Sequence, residues 1–248
     1  MEELDFIEES EFNNAGELLG LDMALDGELS ARLRRMDPLR RLKVLNKMSK
    51  KNRSRGSRAE MENFFRELPK HIKQELLQGK LRLADTTIFS VKKITSKTVK
   101  LFETQDDKEV GLSNVSNAKL PKNFAFLVSG ITMLAGELPV APDGEDPYDE
   151  KEAIKAIQFG SIYDFPALAN GEHSLKANKK QIIPEGEANW KFVTDNNTMK
   201  NLGYYKLDNP RLIQDDVLIE FTVELGTDLL IPSDTYLKIV FHGTGTTP

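Results

Sequence analysis

Residues 217–225 read VLIEFTVEL, and in an extended chain successive side chains point to opposite faces. Val217, Ile219, Phe221, Val223 and Leu225 then share one face, and Leu218, Glu220, Thr222 and Glu224 the other. One side of such a strand is buried and the other is largely wet. The same grammar recurs downstream of Gly79. Candidate strands are TTIFSVKKI (86–94), KTVKLFET (97–104), NFAFLVSGITMLAG (123–136), QFGSIYDF (158–165), EHSLKANKKQII (172–183), NWKFV (189–193), GYYKL (203–207) and TYLKIVFHG (235–243), with Pro, Gly and Asn in the connections. Only DEKEAIKAI (149–157) reads as a helical connection. Strand and helix do not alternate, which disfavours a Rossmann or TIM-barrel fold. The expectation is a mainly β chain, a two-sheet antiparallel sandwich or a barrel.

The segment 123–136 exceeds the usual strand length of about five or six residues. Gly130 in its middle predicts a bend or bulge where the strand turns a corner between sheets. The loop ELPVAPDGEDPYDEKE (137–152), acidic and rich in Pro, is the expected excursion from the sandwich. The tail GTGT (243–246) has no helix after it to bind phosphate and reads as a flexible terminus.

Upstream of the strands, charge is sorted into blocks. Residues 1–31 hold ten acids and no Lys or Arg, whereas residues 32–58 hold twelve bases against Asp37 alone. The remainder carries 22 bases and 28 acids, within a chain of net charge -5. Terminal blocks of like charge mark interaction arms. In DPLRRLKVLNKMSKK, Asp37 is a candidate N-cap, Pro38 suits the first helical position, and Leu39, Leu42, Leu45 and Met48 form a narrow apolar stripe. Ser57 and Glu60 form a capping box for a second helix over 57–78, which Pro69 should kink or divide and Gly79 should end. Its apolar face, Phe64, Phe65, Leu68, Ile72, Leu76 and Leu77, needs a partner surface. The reading is an arm, 1–83, comprising acidic (1–31), basic (32–58) and helical (57–78) parts, and a sandwich, 84–248.

The absence of Cys excludes disulfides, thiolate metal sites and a cysteine nucleophile, and fits a reducing cytosol. MEELDFIEESEF has neither a basic nor an apolar leader region, so no signal peptide is expected. FAFLVSGITMLAG (124–136) is short of the roughly 20 residues of a membrane-spanning helix, so a soluble chain is expected. His71, His173 and His242 lie in unrelated patterns, with no metal-binding spacing, and neither a GxSxG nor a P-loop motif occurs. Asp143, Glu145, Asp146, Asp149 and Glu150 are hard oxygen ligands that would suit calcium if their loop folded back, although the EF-hand order is missing. A solvated acidic loop, or one docking on a basic neighbour, is the simpler reading. Glu220 and Glu224 share a face, but four strand residues put them about 13 Å apart, too far for a glycosidase pair. Trp190, Tyr204 and Tyr205 suggest a sugar platform, against which stands the favoured reading of Trp190 and one tyrosine as core. No catalytic, cofactor or metal site is assigned, and an enzyme ranks third among the functional readings.

The basic arm offers Arg32, Arg34, Arg35, Arg40, Arg41, Lys43, Lys47, Lys50, Lys51, Arg53, Arg55 and Arg58 as contacts for nucleic-acid phosphates, an anionic membrane or acidic surfaces of sister subunits. The narrow stripe places lipid below the others. This arm, RLRRMDPLRRLKVLNKMSKKNRSRGSR, with the strand NFAFLVSGITMLAG, the segment GYYKLDNPRLI and the closing pair VLIEFTVEL and TYLKIVFHGTGTTP, resembles the jelly-roll coat proteins of tailless icosahedral viruses and phages. The resemblance is architectural. It implies a β-sandwich jelly roll that self-assembles into a shell beside copies of itself and other capsid proteins. The chain would be made in the host cytoplasm and end in the virion, its arm turned to genome, internal membrane or neighbours. The acidic stretch ahead of the basic one departs from a simple genome-binding arm and fits arms paired between subunits. The competing reading is a non-catalytic β-sandwich module binding carbohydrate or a cell surface.

Overall fold

The alternating segments pair into two antiparallel sheets that face each other across one apolar core. A computed structural model describes residues 61, 63–139, 149–193, 202–227 and 231–248. Its strands are β1 (Arg82–Lys93), β2 (Thr98–Lys100), β3 (Phe126–Glu137), β4 (Gly160–Ser161), β5 (Glu172–Ala177), β6 (Lys180–Ala188), β7 (Tyr204–Ile213), β8 (Ile219–Glu224) and β9 (Thr235–Thr247). The helices are short: α1 (Lys70–Leu77), α2 (Glu150–Lys155) and α3 (Pro166–Ala169).

In the first sheet β9 lies between β1 and β3, and the far edge of β3 is shared by β7 and the two-residue β4. The second sheet runs β2-β8-β5-β6. Register is uninterrupted from Arg82↔Thr247 to Lys93↔Tyr236. Alternation then dictates the core. Ile88, Phe126, Val128, Ile131, Leu237, Ile239 and Phe241 point inward from the first sheet, and Val99, Leu175, Ile219, Phe221 and Val223 from the second. Phe221 and Phe241 meet edge to face at 5.5 Å, joining the sheets. Each such phenylalanine, fully buried, contributes roughly 1.5–3 kcal/mol. The pattern of VLIEFTVEL is realised in β8, where Ile219, Phe221 and Val223 are buried and Glu220 and Glu224 exposed.

Several expectations are corrected. β3 does bulge between Val128 and Gly130, but it stays within one sheet and turns no corner. The glycine serves a close approach instead: a Cβ there would fall 2.5 Å from the Cε2 and Cζ ring carbons of Tyr204. EHSLKANKKQII is a hairpin, β5 and β6, because Asn178 (φ 49) and Lys179 (φ 64) both adopt the left-handed conformation of a tight two-residue turn. NWKFV is a 3-10 turn, Asn189–Phe192, and QFGSIYDF supplies only β4 before a second 3-10 turn, Ile162–Asp164. GTGT is no loose tail. It completes β9, with Gly243, Thr244, Gly245 and Thr246 all buried, and a Cβ on Gly243 would collide with the Leu127 carbonyl oxygen.

Punctuation upstream is as expected. Pro69 separates a 3-10 turn, Phe65–Glu67, from α1, and Gly79 (φ 69) follows its end. Asp149 caps α2, its Oδ1 accepting from the Lys151 amide at 3.3 Å. Among the described residues no helix is long and apolar enough to cross a membrane.

Candidate assembly surfaces

The apolar face of α1, extended by Leu68 from the turn before it, finds its partner on the outer side of the first sheet. Leu68, Ile72 and Leu76 are buried there against Leu81, Ala125 and Leu127, with Leu83 and Leu212 at the margin. Around this contact His71 Nε2 meets Asp215 Oδ2 at 2.8 Å, and the same oxygen accepts from the Asn123 amide at 3.0 Å. Asn123 Nδ2 donates to Glu75 Oε1 at 3.1 Å, and Gln214 Nε2 to the Glu67 carbonyl at 3.2 Å. Three buried aliphatic side chains at roughly 1.5–3 kcal/mol each exceed exposed polar contacts of about 1 kcal/mol. Apolar burial therefore holds α1, and the polar rim sets its position. Met61, 1% exposed, joins the cluster.

Each sheet edge is blunted. Along β1, Asn114 takes the place of a neighbouring strand. Its Oδ1 accepts from the Phe89 amide at 2.9 Å, its Nδ2 donates to the Thr87 carbonyl at 2.7 Å, and Leu112 O accepts from the Val91 amide at 2.8 Å. β2 is three residues long; β6 carries Pro184 and Gly186 (φ 85). β7 loses register with β3 between Lys206 and Arg211, around Pro210. Short, kinked or proline-bearing edges resist strand addition.

The two outer faces differ. The second sheet presents polar side chains, among them Lys176 opposite Glu220, and Glu172 opposite Glu224. The first sheet is covered at one end by α1 and at the other by Ile154, Ile157 and Phe159, which pack with Val91 and Tyr236. There the Tyr236 hydroxyl donates to Glu150 Oε1 at 3.0 Å, and burial, reinforced by that carboxylate, pushes the phenol up to about 12. Beside this end opens a cleft of about 430 Å³, lined by Gly136, Glu137, Gln158, Gly160, Asp164 and Phe165. The 3-10 turn that supplies Asp164 also carries Tyr163, 62% exposed, whose ring meets Trp190 at 6.4 Å.

Trp190 is 56% exposed, which overturns its assignment to the core. At three residues per turn, a 3-10 turn superposes positions i and i+3. Asn189 and Phe192 both point inward, so Trp190 faces out. Tyr204 and Tyr205 form no platform with it. Tyr204 packs edge-on to His242 at 5.4 Å, and Tyr205 leans on Phe192 at 6.0 Å with the Lys191 ammonium over its ring at 5.4 Å.

Among the buried polar groups is His173, 3% exposed, between Phe192 at 5.0 Å and Phe221 at 5.9 Å. Its Nδ1 lies 3.1 Å from Asn189 Oδ1, while Asn189 Nδ2 donates to the Leu168 carbonyl at 2.8 Å. An amide oxygen accepts, so Nδ1 carries the proton. Burial lowers the imidazole from 6.5 to about 4, against the opposing effect of the Asn189 bond.

The histidines do not converge: His71 sits on α1, His173 in the core, and His242 on β9, where Thr132 Oγ1 is 2.8 Å from its Nε2. Burial lowers the His242 pKa. Of the acidic loop, Asp149 caps α2 and Glu150 accepts from Tyr236, while Asp143, Glu145 and Asp146 lie outside the described residues. Among the described residues no three His, Asp or Glu are grouped to hold a metal ion. All twelve cations of the basic arm, Arg32 to Arg58, lie outside the described residues, as do the acidic stretch, the Asp37 helix and the Ser57 capping box. The sequence pattern missed Tyr163 and Asp164, because SIYDF reads as a strand; Ser161, whose Oγ accepts from the Tyr163 amide at 3.2 Å, was the available turn signal. No protein-family model matches the chain, and no curated protein sequence matches it.

Proposed function

We propose that the sandwich is a jelly roll and that the chain is a structural coat protein, which self-assembles into a viral or phage shell. The observation that carries this reading is nested pairing. β1 pairs with β9, β2 with β8, β3 with β7 and β5 with β6. This is the order obtained when one antiparallel ribbon of eight strands is folded at its middle and wrapped around itself, so that β9 also meets β3 and β8 also meets β5. Ribbons so wrapped recur in capsid, lectin and cupin domains, so the fold narrows the role without assigning it. Blunted edges and a leading helix clamped to one face favour contacts through faces and arms. In this reading the subunit is non-enzymatic and made in the host cytoplasm, and it works in the virion beside copies of itself and other capsid proteins. The arm meets neighbours, genome or an internal membrane.

The test is the assembly state of the full-length chain at high concentration, by light scattering and negative-stain microscopy. Particles or closed symmetric oligomers are expected, and a strict monomer would overturn the proposal. Removing residues 1–58 is expected to leave a cooperatively melting sandwich whose assembly is impaired. The exposed Trp190 and Tyr163 favour a second reading, a binding module for carbohydrate or a cell surface. A glycan-array signal abolished by W190A in a monomeric protein would establish it instead.

A further inference from the structure

His173 sits where the second sheet is thinly closed. In register it faces Glu187 of β6 and Val223 of β8, and its ring points into the core. β6 is an edge strand in which Ile183 alone is buried. Its pairing with β5 breaks beside the histidine. Leu175 faces Ile183 and His173 faces Glu187, so Pro184, Glu185 and Gly186 bulge out opposite Ser174. From that bulge to the end of the 3-10 turn, residues 184–192, only Asn189 and Phe192 are buried. Both rest on the imidazole. The Phe192 ring lies 5.0 Å from it, and Asn189 Oδ1 accepts from its Nδ1–H. Asn189 also donates through Nδ2 to the Leu168 carbonyl and through its amide to the Gly171 carbonyl at 2.9 Å. The segment is a flap seated on one histidine.

A second proton on that ring meets no buried counter-charge. The charged groups that face it are Glu187 on β6 and Lys191 on the turn, and these are paired with each other. Glu172 of β5 and Glu224 of β8 lie on the exposed face of the sheet, and α3 carries no charge. Tyr205 of β7 packs on the turn through Phe192, and the first sheet turns apolar side chains toward the core. Burial disfavours the imidazolium more than the Asn189 bond, the Glu187 carboxylate and the Glu187 carbonyl favour it. A buried charge of this kind is relieved by the opening that brings it water at the least loss of packing. Unfolding gives up both sheets, whereas lifting residues 184–192 gives up Phe192 and the Asn189 bonds. We propose that residues 184–192 form an acid-released flap, which protonation of His173 opens while the remaining strands stay paired. This device is independent of the coat-protein reading.

The test is hydrogen–deuterium exchange of the full-length chain, read as protection factors so that the intrinsic pH dependence of exchange drops out. The Asn189 and Val193 amides, bonded to the Gly171 and Trp190 carbonyls, report the flap. Between pH 7 and pH 4 their protection should fall about a hundredfold, because the open form takes up a proton that the closed form refuses. At pH 4 they should exchange well ahead of Ile239 and Phe241 in β9. In H173Q most of that fall should vanish, the remainder coming from the Glu187 carboxylate that the flap itself carries. A second variant, E172C/A188C, places two cysteines directly opposite each other on β5 and β6 in a chain that has no other. Its oxidised form should hold the flap closed at pH 4, and its reduced form should open like the parent. Flap and β9 amides that lose protection together overturn the flap, since the whole sandwich then opens at once. A fall of the parent's size in H173Q overturns the trigger. Undiminished opening in the oxidised clamp overturns the hinge between β5 and β6.

Discussion

Replacing His173 by Gln tests the buried imidazole. Its Nδ1–H donates to Asn189 Oδ1 between two phenylalanine rings, so the neutral ring is well placed and the charged ring is not. The folded-state pKa is about 4 against 6.5 for an ordinary histidine. Between those values the unfolded chain binds a proton that the folded chain refuses, so stability rises with pH across this window and is flat above it. At about 1.4 kcal/mol per pH unit, acidification from pH 7 to 4 removes about 3 kcal/mol through this residue alone. Glutamine keeps a donor for Asn189 and cannot titrate. H173Q is therefore expected to be less stable than the parent at pH 7 by about 1 kcal/mol, from lost ring packing, yet to gain on it by about 3 kcal/mol by pH 4. The other acid-sensitive groups, His242 and the lysine-paired carboxylates of Glu185, Glu187 and Asp234, are present in both chains, so their contributions are common to the two profiles. The assay is urea unfolding followed by far-ultraviolet circular dichroism, since exposed Trp190 would report the core poorly. With a urea slope near 3 kcal/mol/M the relative midpoint moves by about 1 M. Parallel pH profiles for the two chains, offset by a constant, would refute the reasoning.

Three further substitutions probe the elements that shape the surfaces. I72A removes a fully buried side chain from under α1 and is expected to lower stability by about 2–4 kcal/mol; limited proteolysis should then cut near α1 before the sheets unfold. N114A strips β1 of its substitute partner and leaves the Phe89 amide and Thr87 carbonyl unsatisfied. A loss of about 1–2 kcal/mol is expected, with faster aggregation in a light-scattering time course. G130A forces a methyl group onto the Tyr204 ring and should cost about 1–3 kcal/mol. A double-mutant cycle with Y204A should recover part of that loss.

What the sequence revealed, and what it hid, follows from the range of each signal. Alternation in residues 217–225 predicts which side of β8 is dry, because side-chain direction is a property of one strand. Pro69 and Gly79 mark helix ends for equally local reasons. Periodicity says nothing of partners, so the nesting of β1 with β9 and β2 with β8 had no sequence signature. Two errors came from ambiguous residues. The glycines of GTGT look like slack in isolation, yet Gly243 and Gly245 are required by the approach of Leu127 and Phe124. Trp190 has the composition of a core residue, and only the three-residue period of its turn, with Asn189 and Phe192 inside, turns it outward. The cleft was invisible for the first reason: Glu137 and Asp164 are brought together by β3 and β4, distant in sequence.

Nesting also dictates an order of events during folding. The β5–β6 hairpin closes across two residues, whereas β1 must wait for a partner whose residues begin 142 positions after the strand's own last residue, from Lys93 to Thr235. Because β9 lies between β1 and β3, most of the first sheet cannot assemble until residues 235–247 have been synthesised. Until then Ile88, Phe126, Val128 and Ile131 lack the strand that seals them, and long-range pairing of this kind is slow and prone to misassociation. A ribosome that has not yet released residues 235–247 therefore holds a half-built sandwich, whose open apolar strands invite contacts that the finished fold denies.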